Sequence, residues 1–326
     1  MFRFLVRRTL GAGAILLIIS AITFFLFYAI PADPARTFCG KTCDATTLQQ
    51  IKVNLGMNEA VPVQYWNWLV GIFAGRSYAS FGDCSAPCLG YSFANKEPVL
   101  ATILDRFPAT ISVTIGAVVV FLILGVGAGM LAAHKQGTAV DKIASGVSLT
   151  FSSMQIYFIG TVAMYFLVYQ NPIFPQPHYN NFTDNPGEWF AGLLLPWLVL
   201  ALIFTANYTR MTRSAMIEQL TEEHVRTARA KGMSGRTVFM RFAWRGAMAQ
   251  IITILGIDLG SLLGGAIITE TTFNIHGIGL LSINSVVKND LPMLMAVVMV
   301  AAALIIFFNI VVDAVYALID PRIRLA

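Results

Sequence analysis

The sequence predicts an all-α membrane protein with six transmembrane helices, both termini inside and a long extracytoplasmic segment after the first helix. Three observations carry that fold class. Of 326 residues, 56% are hydrophobic and only 12% are charged, about half the charged fraction of a soluble domain. The hydrophobic residues are gathered into charge-free runs, several of them longer than the roughly 20 residues that cross a bilayer. Lys and Arg fall mainly between alternate pairs of runs, as orientation in a membrane requires.

The first run, residues 9–32, lies between Arg8 and Asp33. Its basic start resembles a secretory signal, but the apolar core is too long and no small-x-small cleavage site follows. It therefore reads as helix one, and residues 1–32 as the first region. Residues 33–106 form the extracytoplasmic segment, and 107–326 the membrane core. Within the core, 107–133 makes span two. The stretch from Lys142 to Asp184 is too long for one span and is cut by Asn171-Pro172, Pro175 and Pro177, so span three begins after Lys142. Residues 189–209, 246–269 (interrupted by Asp258) and 291–312 complete the set.

With the N-terminus inside, the inner segments hold Arg3, Arg7, Arg8, Lys135, Lys142, Arg322, Arg324 and the basic residues of 210–246. The outer segments hold Arg36, Lys41, Lys52, Arg76, Lys96, Arg106 and Lys288, all but the last in the one long segment. Long segments weigh little in the positive-inside rule, so both ends are placed inside.

All four cysteines sit in the outer segment, as Cys39-x-x-x-Cys43 and Cys84-x-x-x-Cys88. In an oxidising compartment four cysteines imply disulfides, with three possible connectivities. Pairing within each CxxxC is the preferred connectivity, and a zinc site the alternative. Between the pairs, residues 61–73 form an aromatic-rich amphipathic helix, suited to lying on the bilayer or to serving as a platform for a partner. Residues 98–107 read as a second short amphipathic helix.

Residues 210–246 form the one strongly charged stretch between apolar runs. It carries Arg210, Arg213, Arg226, Arg229, Lys231, Arg236, Arg241 and Arg245. Thr221 reads as an N-cap, with Glu222 and Glu223 at the positive end of the helix dipole. Arg226, Arg229 and Lys231 suit the last turns, and Gly232 the left-handed position beyond them. That spacing predicts a helix of about 10 residues, roughly 15 Å long. Ser234 caps the next helix.

Polar residues within the spans mark candidate functional positions. Asp258 sits inside span five, where an ionised side chain costs roughly 2.5–3.5 kcal/mol or more unless it faces a partner or a polar pathway. Gly256, Gly260 and Gly264 line one face of that span and permit close helix packing. Ser261 and Thr269 share the span, while Glu270 leaves it on the outside. Gln155 is a polar residue at depth, read first as an interhelical hydrogen bond.

The segment His224-Val225-Arg226-Thr227-Ala228-Arg229-Ala230-Lys231-Gly232 resembles the EAA coupling loop of ABC-importer permeases, in its dipeptide/oligopeptide/nickel form. Ala228 and Gly232 match the consensus; Trp244-Arg245 stands where Leu-Pro often follows. The opening Met1-Phe-Arg-Phe-Leu-Val-Arg-Arg, Pro31-Ala-Asp-Pro34, Leu55-Gly56, Leu263-Gly264-Gly265-Ala266, Gly277-Ile278-Gly279 and the end Asp313 to Arg324 resemble the same branch. The resemblance implies the type I ABC-importer permease fold in a bacterial inner membrane and uptake of di- or oligopeptides, with nickel or glutathione as alternatives. It also implies a second, similar permease subunit, two ATP-hydrolysing subunits holding ATP and Mg²⁺, and an extracytoplasmic binding protein. Docking to the ATPases would then fall on Glu223, Val225, Thr227, Ala228, Arg229, Lys231, Gly232 and Met233.

The chain has no G-x-x-x-x-G-K-[ST] phosphate loop of its own, and Gly232-Met-Ser-Gly235-Arg236-Thr237 lacks both the spacing and the lysine. No catalytic constellation or metal site is expected, the histidines lie on separate segments, and a tethered basic loop interleaved with acids is no nucleic-acid surface. An ion-coupled secondary transporter is the rival class. It would show paired broken helices, which the sequence does not, and would rest on Asp258 alone.

Overall fold

The computed structural model describes residues 2–28, 44–54, 59–78, 82–92 and 94–319. Cys39, Cys43, Pro31-Ala-Asp-Pro34, Leu55-Gly56, Arg322 and Arg324 lie outside them. Among the described residues, five helical runs are long and apolar enough to cross a membrane, and six if one bent pair forms a single span. These are Arg7–Phe27, Val99–His134, the pair Ala139–Ser152 and Ile156–Gln170, Pro186–Thr221, Gly235–Leu263 and Leu291–Val315.

The chain divides into two compact units. The first holds residues 1–110, 263–267 and 276–306. It contains α1 (Phe2–Tyr28), α2 (Ala45–Asn54) and α3 (Val61–Ala74). Two small antiparallel hairpins follow, β1 (Arg76–Tyr78) with β2 (Gly82–Cys84), and β3 (Tyr91–Ser92) with β4 (Glu97–Pro98). The start of α4 (Val99–Phe121), α13 (Ile278–Val287) and the start of α14 (Leu291–Ile319) complete it. Residues 98–107 are not a separate helix: β4 runs directly into α4, whose Val99 and Ile103 are buried against Ile278, Leu281, Met293 and Val297. The helix continues into span two through Pro108, which lies inside it. Pro62 suits the first turn of α3, where a missing N–H costs nothing, and Gly75 ends the helix at a φ of 80°.

The second unit holds residues 111–262, 268–275 and 307–326. Here α4 passes through a π-turn at Leu122–Val126 into α5 (Gly127–His134). Next come α6 (Ala139–Ser152) and α7 (Ile156–Met164), then α8 (Pro186–Thr221), α9 (Glu223–Ala230) and α10 (Gly235–Thr237). The set ends with α11 (Trp244–Leu263), α12 (Ile267–Thr272) and the remainder of α14. Asn185 caps α8 by accepting from the Glu188 N–H at 3.2 Å, and Pro186 occupies the first turn.

Span three is bent by 92° between α6 and α7. The physical cause is polar: the Ser152 and Ser153 hydroxyls bond back to the Leu149 carbonyl at 3.1 and 2.9 Å, competing with the helix ladder. Gln155 is the extended, exposed N-cap position of α7 and makes no interhelical bond among the described residues. Span five also differs from expectation. It ends at Leu263, and Gly264 lies in the break that follows, so the small-residue face is carried by Gly256 and Gly260, both buried. Gly265 breaks the helix at a φ of 131°, where a Cβ would stand 2.9 Å from the Gly279 backbone. Glu270 does not lead out to solvent; it is fully buried within α12.

Candidate coupling helix and its supports

The long helix α8 sets the geometry. Its 36 residues extend about 54 Å at 1.5 Å per residue, against a hydrocarbon thickness of about 30 Å. Residues 189–209 are uncharged and charge begins at Arg210, so the stretch from Arg210 to Thr221 projects about 18 Å beyond the apolar run.

At its tip hangs α9, separated from α8 by one extended residue, Glu222 (φ −63°, ψ 149°). Glu222, not Thr221, is the N-cap. Thr221 is the last residue of α8 because its hydroxyl bonds back to the Glu218 carbonyl at 2.7 Å. The Glu222 carbonyl accepts from the N–H groups of Val225 and Arg226, both at 3.1 Å. The helix is 8 residues long, with Glu223 in its first turn. Gly232 takes the left-handed conformation (φ 75°) that closes the turn, donating to the Arg229 carbonyl at 2.9 Å. Ser234 caps α10 by accepting from the Thr237 N–H at 3.4 Å.

Among the described residues, Val225 and Ala228 are the side chains of α9 buried against its own chain, with Val238 and beside Leu220 and Phe242. They are three residues apart, the spacing of one helix face. Both therefore face inward, and the surface open to a partner includes Glu223, Thr227, Arg229, Lys231, Gly232 and Met233, all exposed, with His224, Arg226 and Ala230 beside them.

Among the described residues, polar ties join α8 to neighbouring spans at three positions: Trp197 Nε1 donates to the Ser112 carbonyl of α4 at 2.9 Å, and Arg213 and Tyr208 reach α6 and α11. Near the charged end, Arg213 grips Asp141 of α6 with two donors, Nε and Nη2, the second at 2.9 Å, while the Gly137 N–H also donates to Asp141 at 2.9 Å. Such bidentate pairs fix orientation as well as energy. Deeper in the span, the Tyr208 hydroxyl donates to Asp258 of α11 at 2.8 Å. Asp258 thus has a partner inside the protein. The remaining path candidates are scattered: Ser261 and Gln155 are exposed, and Thr269 and Glu270 are buried in α12. Gly256 packs on Val312 of α14, where an added Cβ would collide with that side chain.

In the first unit, a polar cavity of about 480 Å³ opens beside the second hairpin, lined by Arg106, His276, Lys288, Asn95, Glu97 and Asp290 among others. Its wall is fixed by a hydrogen bond from Ser92 to the buried Asp290 carboxyl and by Lys288, which donates to Asn95 at 3.1 Å. Burial pushes the Asp290 carboxyl above its ordinary value, against the opposing hydrogen bonds and the Lys288 charge. Cys84 and Cys88 are joined by a disulfide with Cα atoms 5.7 Å apart, closing one of the two CxxxC motifs locally.

Among the described residues, five or six apolar spans, with a charged helix projecting from one of the longest of them, define a multi-pass membrane protein. The chain belongs to the family of binding-protein-dependent transport system inner membrane components, whose model matches residues 125–325; the model of that family's N-terminal part matches residues 1–114. It is 32% identical over 321 residues to a probable peptide ABC transporter permease protein of Sinorhizobium fredii, covering 98% of this chain and 99% of the relative. It is 30% identical over 320 residues to a putative peptide transport system permease protein of Brucella abortus, covering 98% of each. It is also 31% identical over 324 residues to the glutathione transport system permease protein of Escherichia coli, covering 99% of each. The fold is accordingly that of the family's permeases, and the protein is a multi-pass protein of the inner membrane.

Proposed function

We propose that this chain is one permease subunit of an ATP-driven importer that takes up di- or oligopeptides delivered by an extracytoplasmic binding protein. The N-terminus faces the cytoplasm, a second, similar permease completes the pathway, and two ATP-hydrolysing subunits holding ATP and Mg²⁺ supply the energy. The observation that carries this reading is α9: a short helix whose Val225 and Ala228 are buried against its own chain, with its other described side chains exposed beyond the end of a membrane span. Glu223, Thr227, Arg229, Lys231, Gly232 and Met233 are the surface for the ATPase, and Val225 and Ala228 hold that surface in place. Closure of the ATPases moves α9, and α8 carries the motion into the spans. The disulfide-bearing hairpin and the polar cavity in the first unit are the contact for the binding protein.

The likeness to the glutathione permease supports a second reading within the same class, since glutathione is itself a modified tripeptide. The reading is tested by purifying the chain in mild detergent beside Gly232→Trp, which sets a large side chain at a φ of 75° in open space. An ATPase that co-purifies with the wild type and is lost from the variant is the expected result. Uptake that survives ATP depletion, with no ATPase bound to either form, overturns it and returns Asp258 and an ion gradient to first place.

A further inference from the structure

Helix α3 has two apolar faces. One is accounted for: Trp68 is buried with Phe24 of α1 and Met295 of α14, beside Tyr65, Ile72 and Met299. The other carries Val63, Trp66, Val70 and Phe73, at helical spacing and 46%, 62%, 43% and 79% exposed. No charged residue interrupts the sequence between Glu59 and Arg76.

This helix packs against two spans. The Tyr65 hydroxyl is 2.8 Å from the Ser20 hydroxyl and donates to the Leu17 carbonyl at 3.4 Å, and the Tyr65 and Phe24 rings are 5.4 Å apart. Phe24, Ser20 and Leu17 all belong to the charge-free run 9–32 and together cover about 10 Å of helix. Met295 and Met299 belong likewise to the apolar span of α14, Leu291–Val315. Helix α3 packs alongside the apolar stretches of both helices, with its polar edge at Asn67 held by Glu59 at 2.8 Å and Arg76 at 3.1 Å.

Beside such spans an apolar stripe meets either acyl chains or another protein. Helix–helix interfaces in membranes favour small residues that let backbones approach. The stripe consists of two valines and two large aromatic side chains, while the helix's internal glycine, Gly71, is buried on the other face. Alongside it, α1 exposes Ile15, Ile18, Ile22 and Phe25. We infer that α3 is a membrane-embedded amphipathic helix whose Val63–Trp66–Val70–Phe73 face contacts lipid acyl chains, anchoring the hairpin that begins at Arg76 to the bilayer.

The test places a benzophenone side chain at position 66 or 73 of the assembled transporter in lipid nanodiscs. Lipid adducts at both positions are expected; adducts to a second permease or to the binding protein at either position overturn the inference. Should these variants fail to assemble, Trp66→Phe keeps the stripe aromatic. The fluorescence difference between wild type and this variant isolates Trp66. Quenching by lipids brominated near the middle of the acyl chain at least twofold stronger than quenching by aqueous iodide supports the inference, and any smaller ratio overturns it.

Discussion

If α9 is held to its own chain by Val225 and Ala228, trimming Val225 should release it. An eight-residue helix is too short to persist in water without packing, so its order depends on that contact. Val225→Ala removes two methyl groups from a fully buried site, about 1.6 kcal/mol of transfer free energy. Incomplete collapse of the space left behind raises the cost to about 2 kcal/mol. At about 1.4 kcal/mol per tenfold, the undocked population rises about 30-fold. Hydrogen exchange in nanodiscs reads this directly. The amides of Val225, Arg226, Lys231 and Gly232, all hydrogen-bonded within the motif, should lose about 30-fold of protection while those of 190–215 stay unchanged. The exposed Thr227→Ala should change these rates far less. Unaltered protection at 225–232, or an equal loss throughout α8, would refute the view that two side chains hold the helix.

Three further outcomes follow from the packing and the charges. Gly256→Leu drives a side chain into Val312 and should cost about 1–3 kcal/mol. Gly127→Ala, where nothing stands within 4 Å and the backbone is helical at φ −60°, should gain about 0.5–1 kcal/mol; thermal unfolding in detergent reads both, and a destabilised Gly127→Ala or an unaffected Gly256→Leu contradicts the packing described. For Asp290, burial raises the folded-state value above 3.8, so the protonated form favours folding. That contribution is full below the unfolded value and is lost as pH rises through the folded one. Asp290→Asn should therefore gain in melting temperature relative to wild type between pH 4 and pH 7, and a wild-type advantage that grows with pH would contradict the assignment.

The spans were legible because charge is absent from them and bilayer thickness sets their length, neither of which depends on tertiary contacts. The features misread are local competitions. At Thr221 and at Ser152-Ser153 the question is whether a hydroxyl caps the next helix or bonds back into the preceding one, and the sequence is the same either way. With no proline at residues 152–155, nothing in the chain marked the 92° bend. Gly264 kept the four-residue spacing of Gly256 and Gly260, but the break at Gly265 takes it out of the helix. Val225 and Ala228, which the resemblance assigns to the docking surface, are instead buried against Val238, because two apolar residues three apart in a charged helix gain more by packing on their own chain. The Arg213–Asp141 tie was not readable, since it joins residues 72 apart through the packing of α6 on α8.

How so small a helix can move a membrane pathway is answered by its connections more than by its contacts. Through Glu222 it is continuous with α8, and through the Ser234 cap it leads into the helical run Gly235–Leu263. These two long helices are in turn pinned to one another by Tyr208 and Asp258, and α8 is pinned to α6 by Arg213 and Asp141. On the coupling reading, a displacement applied at α9 cannot be absorbed by one flexible loop, because capped or single-residue junctions adjoin it on both sides. It reaches α8 and α11 together and, through Asp141, the bent third span. The polar ties then carry motion as well as stability. Removing Arg213 should uncouple α6 from α8, lowering the uptake obtained per ATP hydrolysed while leaving ATPase co-purification intact, a split that loss of folding alone would not produce.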